Sequence, residues 1–101
     1  MESIRAMMNE FLMMPDYTIR RIALRCESVL WRVYRAVKDN TLARGYTCEE
    51  AASCASREVT RAAERLIVAL QKRDVPGADV IATAAETKFF KNCHVWEIGI
   101  W

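Results

Sequence analysis

Four arginines are the residues of this chain whose type and spacing most clearly suggest chemistry. They lie in the stretch TIRRIALRCESVLWRVYRAVKDNTLARG, residues 18–45, and a helical wheel puts them within about 80° of arc: Arg21, Arg25, Arg32 and Arg35. This row rises about 21 Å at about 1.5 Å per residue. A guanidinium group binds phosphate through two parallel hydrogen bonds and stays charged at any physiological pH. The row therefore predicts contact with a polyanion.

The positive charge of the chain is concentrated in the same segment. Residues 17–44 contain seven basic and two acidic residues, a net charge of +5, whereas the whole chain carries +2. A helix with such an excess in a nearly neutral protein produces a directional field. A weaker row with two glutamates near its edges follows at residues 57–65. The predicted nucleic-acid-binding residues are Arg21, Arg25, Arg32, Arg35, Lys38, Arg57, Arg61 and Arg65.

A basic stripe on an amphipathic helix has other interpretations. It is most often an ordinary solvated face, and it also suits an acidic protein partner or an anionic membrane surface. The membrane alternative is the weaker one, because the opposite face of the helix carries the apolar residues that the core needs: Ile22, Cys26, Val29, Val33 and Val37.

Catalysis and metal binding are not predicted. The chain has a single histidine and three scattered glycines, so it offers no histidine cluster and no glycine-rich phosphate loop. The cysteines do not form the close pairs of a structural zinc site, and we expect them to be reduced and mostly buried: Cys26, Cys48, Cys54 and Cys93. His94 beside Cys93 is not expected to react with it, since neighbouring side chains diverge. We therefore predict no enzyme, no metal and no cofactor.

The low number of helix-breaking residues in the sequence predicts a helical protein. Only three glycines and two prolines interrupt 101 residues, of which 52% are hydrophobic. Asp16 is a candidate N-cap, Gly45 a candidate helix stop, and Thr47 with Glu50 has the spacing of a capping box. We predict one helical domain over residues 1–101, with helices over about 2–14, 16–42, 48–73 and 78–91 and an extended arm over 92–101.

The second and third predicted helices form a long antiparallel hairpin around Gly45 and Tyr46. The apolar stripe of the third helix is rich in alanine, which lets a neighbouring helix come close. Because the core of a chain this short is modest, we expect a dimeric helical bundle. No targeting segment and no membrane-length apolar run is visible, so we predict a soluble, cytoplasmic protein without a membrane partner.

A glycine-poor helical chain whose long helices carry arginine rows resembles the small viral suppressors of RNA silencing of the nodavirus type. The stretch RVYRAVKDNTLARG carries most of this likeness, which covers about residues 17–73. The helical RNA-binding domain of the influenza non-structural protein is more loosely similar. The first resemblance implies an all-α homodimer that binds double-stranded RNA.

The residues themselves favour the same ligand. A rigid helix cannot read bases in the narrow major groove of A-form RNA, but it can lie along the duplex and contact phosphates and 2′-hydroxyls. The hypothesis is therefore sequence-independent binding of double-stranded RNA, which shields that RNA from silencing or sensing. The alternative is a helical protein-interaction module that binds no nucleic acid.

Overall fold

The chain folds into four α-helices with short connections. The computed structural model describes the backbone of residues 2–100 and the side chains of residues 4–89. The helices are α1 (Glu2–Leu12), α2 (Tyr17–Ala43), α3 (Cys48–Gln71) and α4 (Val75–Ile100). No strand occurs within residues 2–100. The prediction of an all-α fold is therefore confirmed, while the dimer stays a prediction.

Local chemistry sets both ends of α2. The Asp16 carboxylate accepts hydrogen bonds from the backbone N–H groups of Thr18 at 2.9 Å and Ile19 at 3.4 Å, which satisfies free donors of the first turn. At the other end Gly45 has φ +94° and donates its N–H to the carbonyl of Leu42 at 3.0 Å. This left-handed residue ends the helix, as such glycines do. The observed limits lie within one residue of the prediction.

A capping box begins α3, as predicted. The Thr47 hydroxyl accepts the backbone N–H of Glu50 at 3.1 Å, and the Glu50 carboxylate accepts the backbone N–H of Thr47 at 3.1 Å. Hydrogen bonds from the Thr47 backbone and side chain lower the pKa of Glu50 below its ordinary value of 4.5. Glu50 therefore adds stability above about pH 4.5 that is lost as the pH falls through its folded-state pKa.

The fourth helix differs most from the prediction of 78–91. It begins at Val75 because Asp74 accepts the N–H of Gly77 at 3.0 Å, and a proline in the first turn loses no helical hydrogen bond. It continues to Ile100 through residues predicted to be extended, and no proline interrupts that stretch. The apolar side chains of the predicted arm lie outside the described side chains. The first and third helices end about two residues earlier than predicted.

The second helix is the centre of the fold, because it packs against α1, α3 and α4. It is antiparallel to α3, since the two are joined by only four residues and pack extensively together. The buried side chains of all four helices form one cluster: Ile4, Met8, Phe11, Ile19, Ile22, Ala23, Cys26, Val29, Leu30, Val33, Val59, Ala63, Leu66, Ala69, Leu70, Ala78, Ala82 and Ala85. The many alanines on α3 and α4 allow close helix approach. The predicted hairpin and its apolar faces are thus confirmed.

One charged side chain is buried in this packing. Glu27 lies at the contact between α1 and α2, where its Oε1 accepts a hydrogen bond from the guanidinium of Arg5 at 2.9 Å. Its Oε2 has no hydrogen-bond partner among the described residues. Arg5 is 65% exposed, so this contact adds to the docking of α1, which its buried apolar residues Ile4, Met8 and Phe11 also provide.

We expect Cys26 to resist thiol reagents in the folded protein. Its side chain is fully enclosed, and this burial raises its pKa to about 11, so the reactive thiolate is scarce at about pH 8. Cys48 is exposed and serves as the internal control. Labelling with a maleimide, followed by peptide mass spectrometry, should modify Cys48 quickly and Cys26 only on unfolding. Rapid modification of Cys26 in the native state would contradict the described packing.

Candidate binding face of α2

Three helices cover α2 and leave one strip of it in solvent. We term this strip the outer face of α2; its residues are Tyr17, Arg20, Arg21, Leu24, Ser28, Trp31, Arg35 and Lys38. All of them are exposed except Lys38, which is half-buried. The α1 helix lies on the side of α2 marked by Glu27, and α4 lies on the side marked by Arg25.

The structure divides the predicted row of four arginines into two pairs. Arg21 and Arg35 stand on the outer face. Arg25 and Arg32 lie at its edge and turn towards α4, where they meet carboxylates. Half of the predicted row therefore takes part in helix packing.

Arg25 is the centre of the contact between α2 and α4. Its Nε donates to Asp79 at 2.9 Å, and its Nη2 donates to Thr83 at 3.0 Å and to Glu86 at 2.8 Å. The other Glu86 oxygen accepts from Arg32 at 3.3 Å. Hydrogen bonds to Asp79 and then Glu86 raise the pKa of Arg25 above its ordinary value. Arg25 contacts both Asp79 and Glu86, and the later Arg32 contacts the later Glu86. The two helices α2 and α4 therefore run parallel.

Large apolar side chains occupy the same outer face. Tyr17, Leu24 and Trp31 are 64%, 55% and 37% exposed, and they follow one another at intervals of seven residues. Such a contiguous exposed patch on a small protein marks a candidate interaction site.

Neighbouring side chains hold the aromatic members of this patch. The guanidinium groups of Arg20 and Arg21 lie 5.8 Å and 5.9 Å from the centroid of the Tyr17 ring. Trp31 packs edge-on against Tyr34, with ring centroids 6.3 Å apart. Lys38 lies 5.9 Å from the Tyr34 ring. Cation–π and edge-to-face contacts of this kind are favourable and restrict the rings.

The charge of the outer face has one sign and lies at its two ends. Within residues 17–38 the sequence contains a single acid, Glu27, which is buried beside Arg5. Arg20 and Arg21 lie at one end, and Arg35 and Lys38 lie at the other. The outer face therefore has an apolar centre between two positive ends.

The predicted arginines of α3 do not join this face. Arg57, Arg61 and Arg65 are exposed, and Arg61 lies 3.8 Å from the carboxylate of Glu58. Because α2 and α3 bury the sides that face each other, their exposed arginines lie on opposite sides of the hairpin. One chain therefore does not gather the eight predicted residues into a single surface.

A concave region lies beside the connection between α2 and α3, away from the outer face. It is a cavity of about 510 Å³, lined by Thr41, Arg44, Tyr46, Glu49, Glu50, Ser53, Cys54 and Arg57. Two glutamates offset its two arginines, so it has no clear charge preference. Among the described residues, no three histidine, cysteine or acidic side chains form a metal-binding group. Cys93 and His94 lie outside the described side chains.

No described helix combines the length and the apolar character needed to cross a bilayer. Comparison with protein-family models, curated proteins and solved structures finds no match to the chain.

Sequence reasoning missed two features that a seven-residue spacing signals. The first is the contact between two arginines of α2 and two acids of α4. Arg25 and Arg32 are seven residues apart, and so are Asp79 and Glu86. The second is the exposed series of Tyr17, Leu24 and Trp31. Arg20 was also not among the predicted site residues.

We expect the Arg25–Glu86 contact to contribute about 0.5–1 kcal/mol to the free energy of unfolding, since both groups are partly exposed. A double-mutant cycle with Arg25→Met and Glu86→Gln, measured by urea denaturation, gives this coupling energy. It should shrink at about 1 M salt, where charges are screened. Glu64→Gln, an exposed glutamate on α3, is the control and should change stability little. A zero coupling energy at low salt would contradict the described contact.

Proposed function

We propose that this chain is a non-enzymatic helical interaction module that binds a protein partner through the outer face of α2. The observation that carries the proposal is the apolar centre of that face between its positive ends. Protein interfaces combine an apolar, desolvated centre with a polar rim, and their energetically dominant residues are enriched in tryptophan, tyrosine and arginine. Tyr17 and Trp31 with Arg21 and Arg35 fit this description.

The charge of the face specifies the partner further. A positive surface without acids attracts a complementary negative one and repels a positive one. We therefore propose an acidic protein segment as the ligand.

Sequence-independent binding of double-stranded RNA, with protection of that RNA from silencing or sensing, is the second candidate. It is supported by the lack of any exposed acid on the outer face within residues 17–38. It ranks second because Arg25 and Arg32 already pair with α4 carboxylates. In addition, Leu24 and Trp31 would lie against a polar sugar–phosphate backbone.

Site-specific photo-crosslinking tests the first candidate. Tyr17→p-benzoylphenylalanine places the probe on the outer face in the place of an exposed aromatic ring, and Thr60→p-benzoylphenylalanine places it on an exposed position of α3 as the control. In extracts of the source cells we expect an adduct from the Tyr17 position alone. The adduct should be destroyed by protease but not ribonuclease, and should disappear with Leu24→Glu. An adduct pattern shared by both positions and unaffected by Leu24→Glu would contradict the proposal.

Gel shifts test the RNA candidate. Duplexes of about 21 base pairs and unrelated sequence should bind equally, and the affinity should fall steeply with salt. Arg21→Ala and Arg35→Ala should each weaken binding and reduce the salt slope by about one. Lys88→Ala, an exposed lysine on α4, is the matched control. The absence of a shift at low salt would rule this candidate out.

A further inference from the structure

We infer that the partner segment is a single amphipathic α-helix that lies along α2 and carries acidic residues near both ends of its apolar stripe. This inference rests on the function proposed above and specifies the partner. The inference follows from the spacing of the residues on the outer face, their sizes and the position of their charges.

The outer face consists of two parallel rows with a seven-residue period. Tyr17, Leu24 and Trp31 form one row; Arg21, Ser28 and Arg35 form the other, four residues further along. A seven-residue apolar repeat is the pattern that keeps one helix in contact with another over several turns.

Ser28 is the smallest side chain of the outer face and lies at its middle. It is a small exposed residue placed between Leu24 and Trp31 along the helix. In helix packing, a large side chain of one helix inserts into a hole formed by four residues of the other. We therefore expect a leucine-sized side chain of the partner to lie over Ser28.

The charges fix the length of the partner helix and its acidic positions. Arg21 and Arg35 are about 21 Å apart along α2 at about 1.5 Å per residue. A partner helix aligned with α2 meets both when two of its acidic residues are about 14 positions apart. The helix thus needs at least about four turns.

The apolar anchors are already ordered in the free protein. Trp31 lies edge-on against Tyr34, and Tyr17 lies beside two guanidinium groups. Side chains held in this way lose less conformational freedom on binding, which favours affinity.

Other occupants match the face poorly. A twofold axis through Ser28 would bring Arg21 of one copy against Arg35 of the other, and like charges across an interface are costly. The segment of this chain from residue 90 to residue 101 contains only one acid, Glu97, which cannot serve both positive ends. Charge complementarity therefore favours a separate acidic helix.

A designed peptide tests the inference directly. The probe is a fluorescein-labelled peptide of about 21 residues with leucine at seven-residue spacing, glutamates flanking each leucine and alanine elsewhere. Fluorescence anisotropy with the full chain should detect binding. Trp31→Ala and Leu24→Ala should each weaken it about tenfold or more, as loss of a central anchor does. Val80→Ala removes an exposed apolar side chain from α4 and should leave the affinity unchanged.

Charge exchange separates specific docking from simple attraction. The protein with Arg21→Glu and Arg35→Glu should bind the glutamate peptide at least about tenfold more weakly, because each end of the face then carries one base and one acid. A scrambled peptide of the same composition should bind at least about tenfold more weakly than the probe, because it lacks the seven-residue stripe. Equal binding of the scrambled peptide, or no effect of Trp31→Ala, would overturn the inference.

The remaining outcomes distinguish this inference from the function on which it rests. A protein adduct at position 17 that Leu24→Glu abolishes, together with no binding of any helical peptide, overturns the helix and leaves the proposed function standing. A ribonuclease-sensitive adduct at position 17 overturns both. Sedimentation that shows a dimer abolished by Leu24→Glu makes a second copy the occupant and also overturns the inference.

Discussion

The structure depends on the burial of α2 by three other helices at once. This 27-residue helix carries the largest share of the buried side chains, and α1, α3 and α4 all pack on it. Their placement leaves a single strip in solvent. The character of the outer face follows from this constraint, because a residue of α2 is either under a neighbouring helix, at its edge or on that strip.

The basic charge of α2 therefore serves two purposes. At the edge, Arg25 and Arg32 meet Asp79, Thr83 and Glu86, and these contacts align α4 with α2. On the outer face, the remaining cations have no acid nearby within residues 17–38. The net charge of the segment counts both groups equally, although the first already pairs with carboxylates of α4. The exposed strip that remains on this basic helix therefore has an apolar centre and positive ends.

The helix limits were predictable wherever they depend on local chemistry. Asp16, Gly45 and Thr47 act on backbone groups a few residues away, and their positions were read correctly from spacing. The start of α4 lies three residues before the predicted one, because Asp74 caps the helix ahead of Pro76 and Gly77. The helix also continues to Ile100, where the prediction was an extended arm, and no proline in that stretch ends it.

For the candidate site, the sequence by itself determined that Arg21, Arg25, Arg32 and Arg35 share one side of α2 and that apolar residues occupy the other. This follows from the helical period alone. Only the tertiary structure decided that Arg25 and Arg32 face α4, that Leu24 and Trp31 stay exposed, and that the arginines of α3 point the opposite way. The physical reason is that periodicity determines the direction of a side chain about its own helix axis. The positions of the neighbouring helices around that axis depend on contacts between residues far apart in the chain.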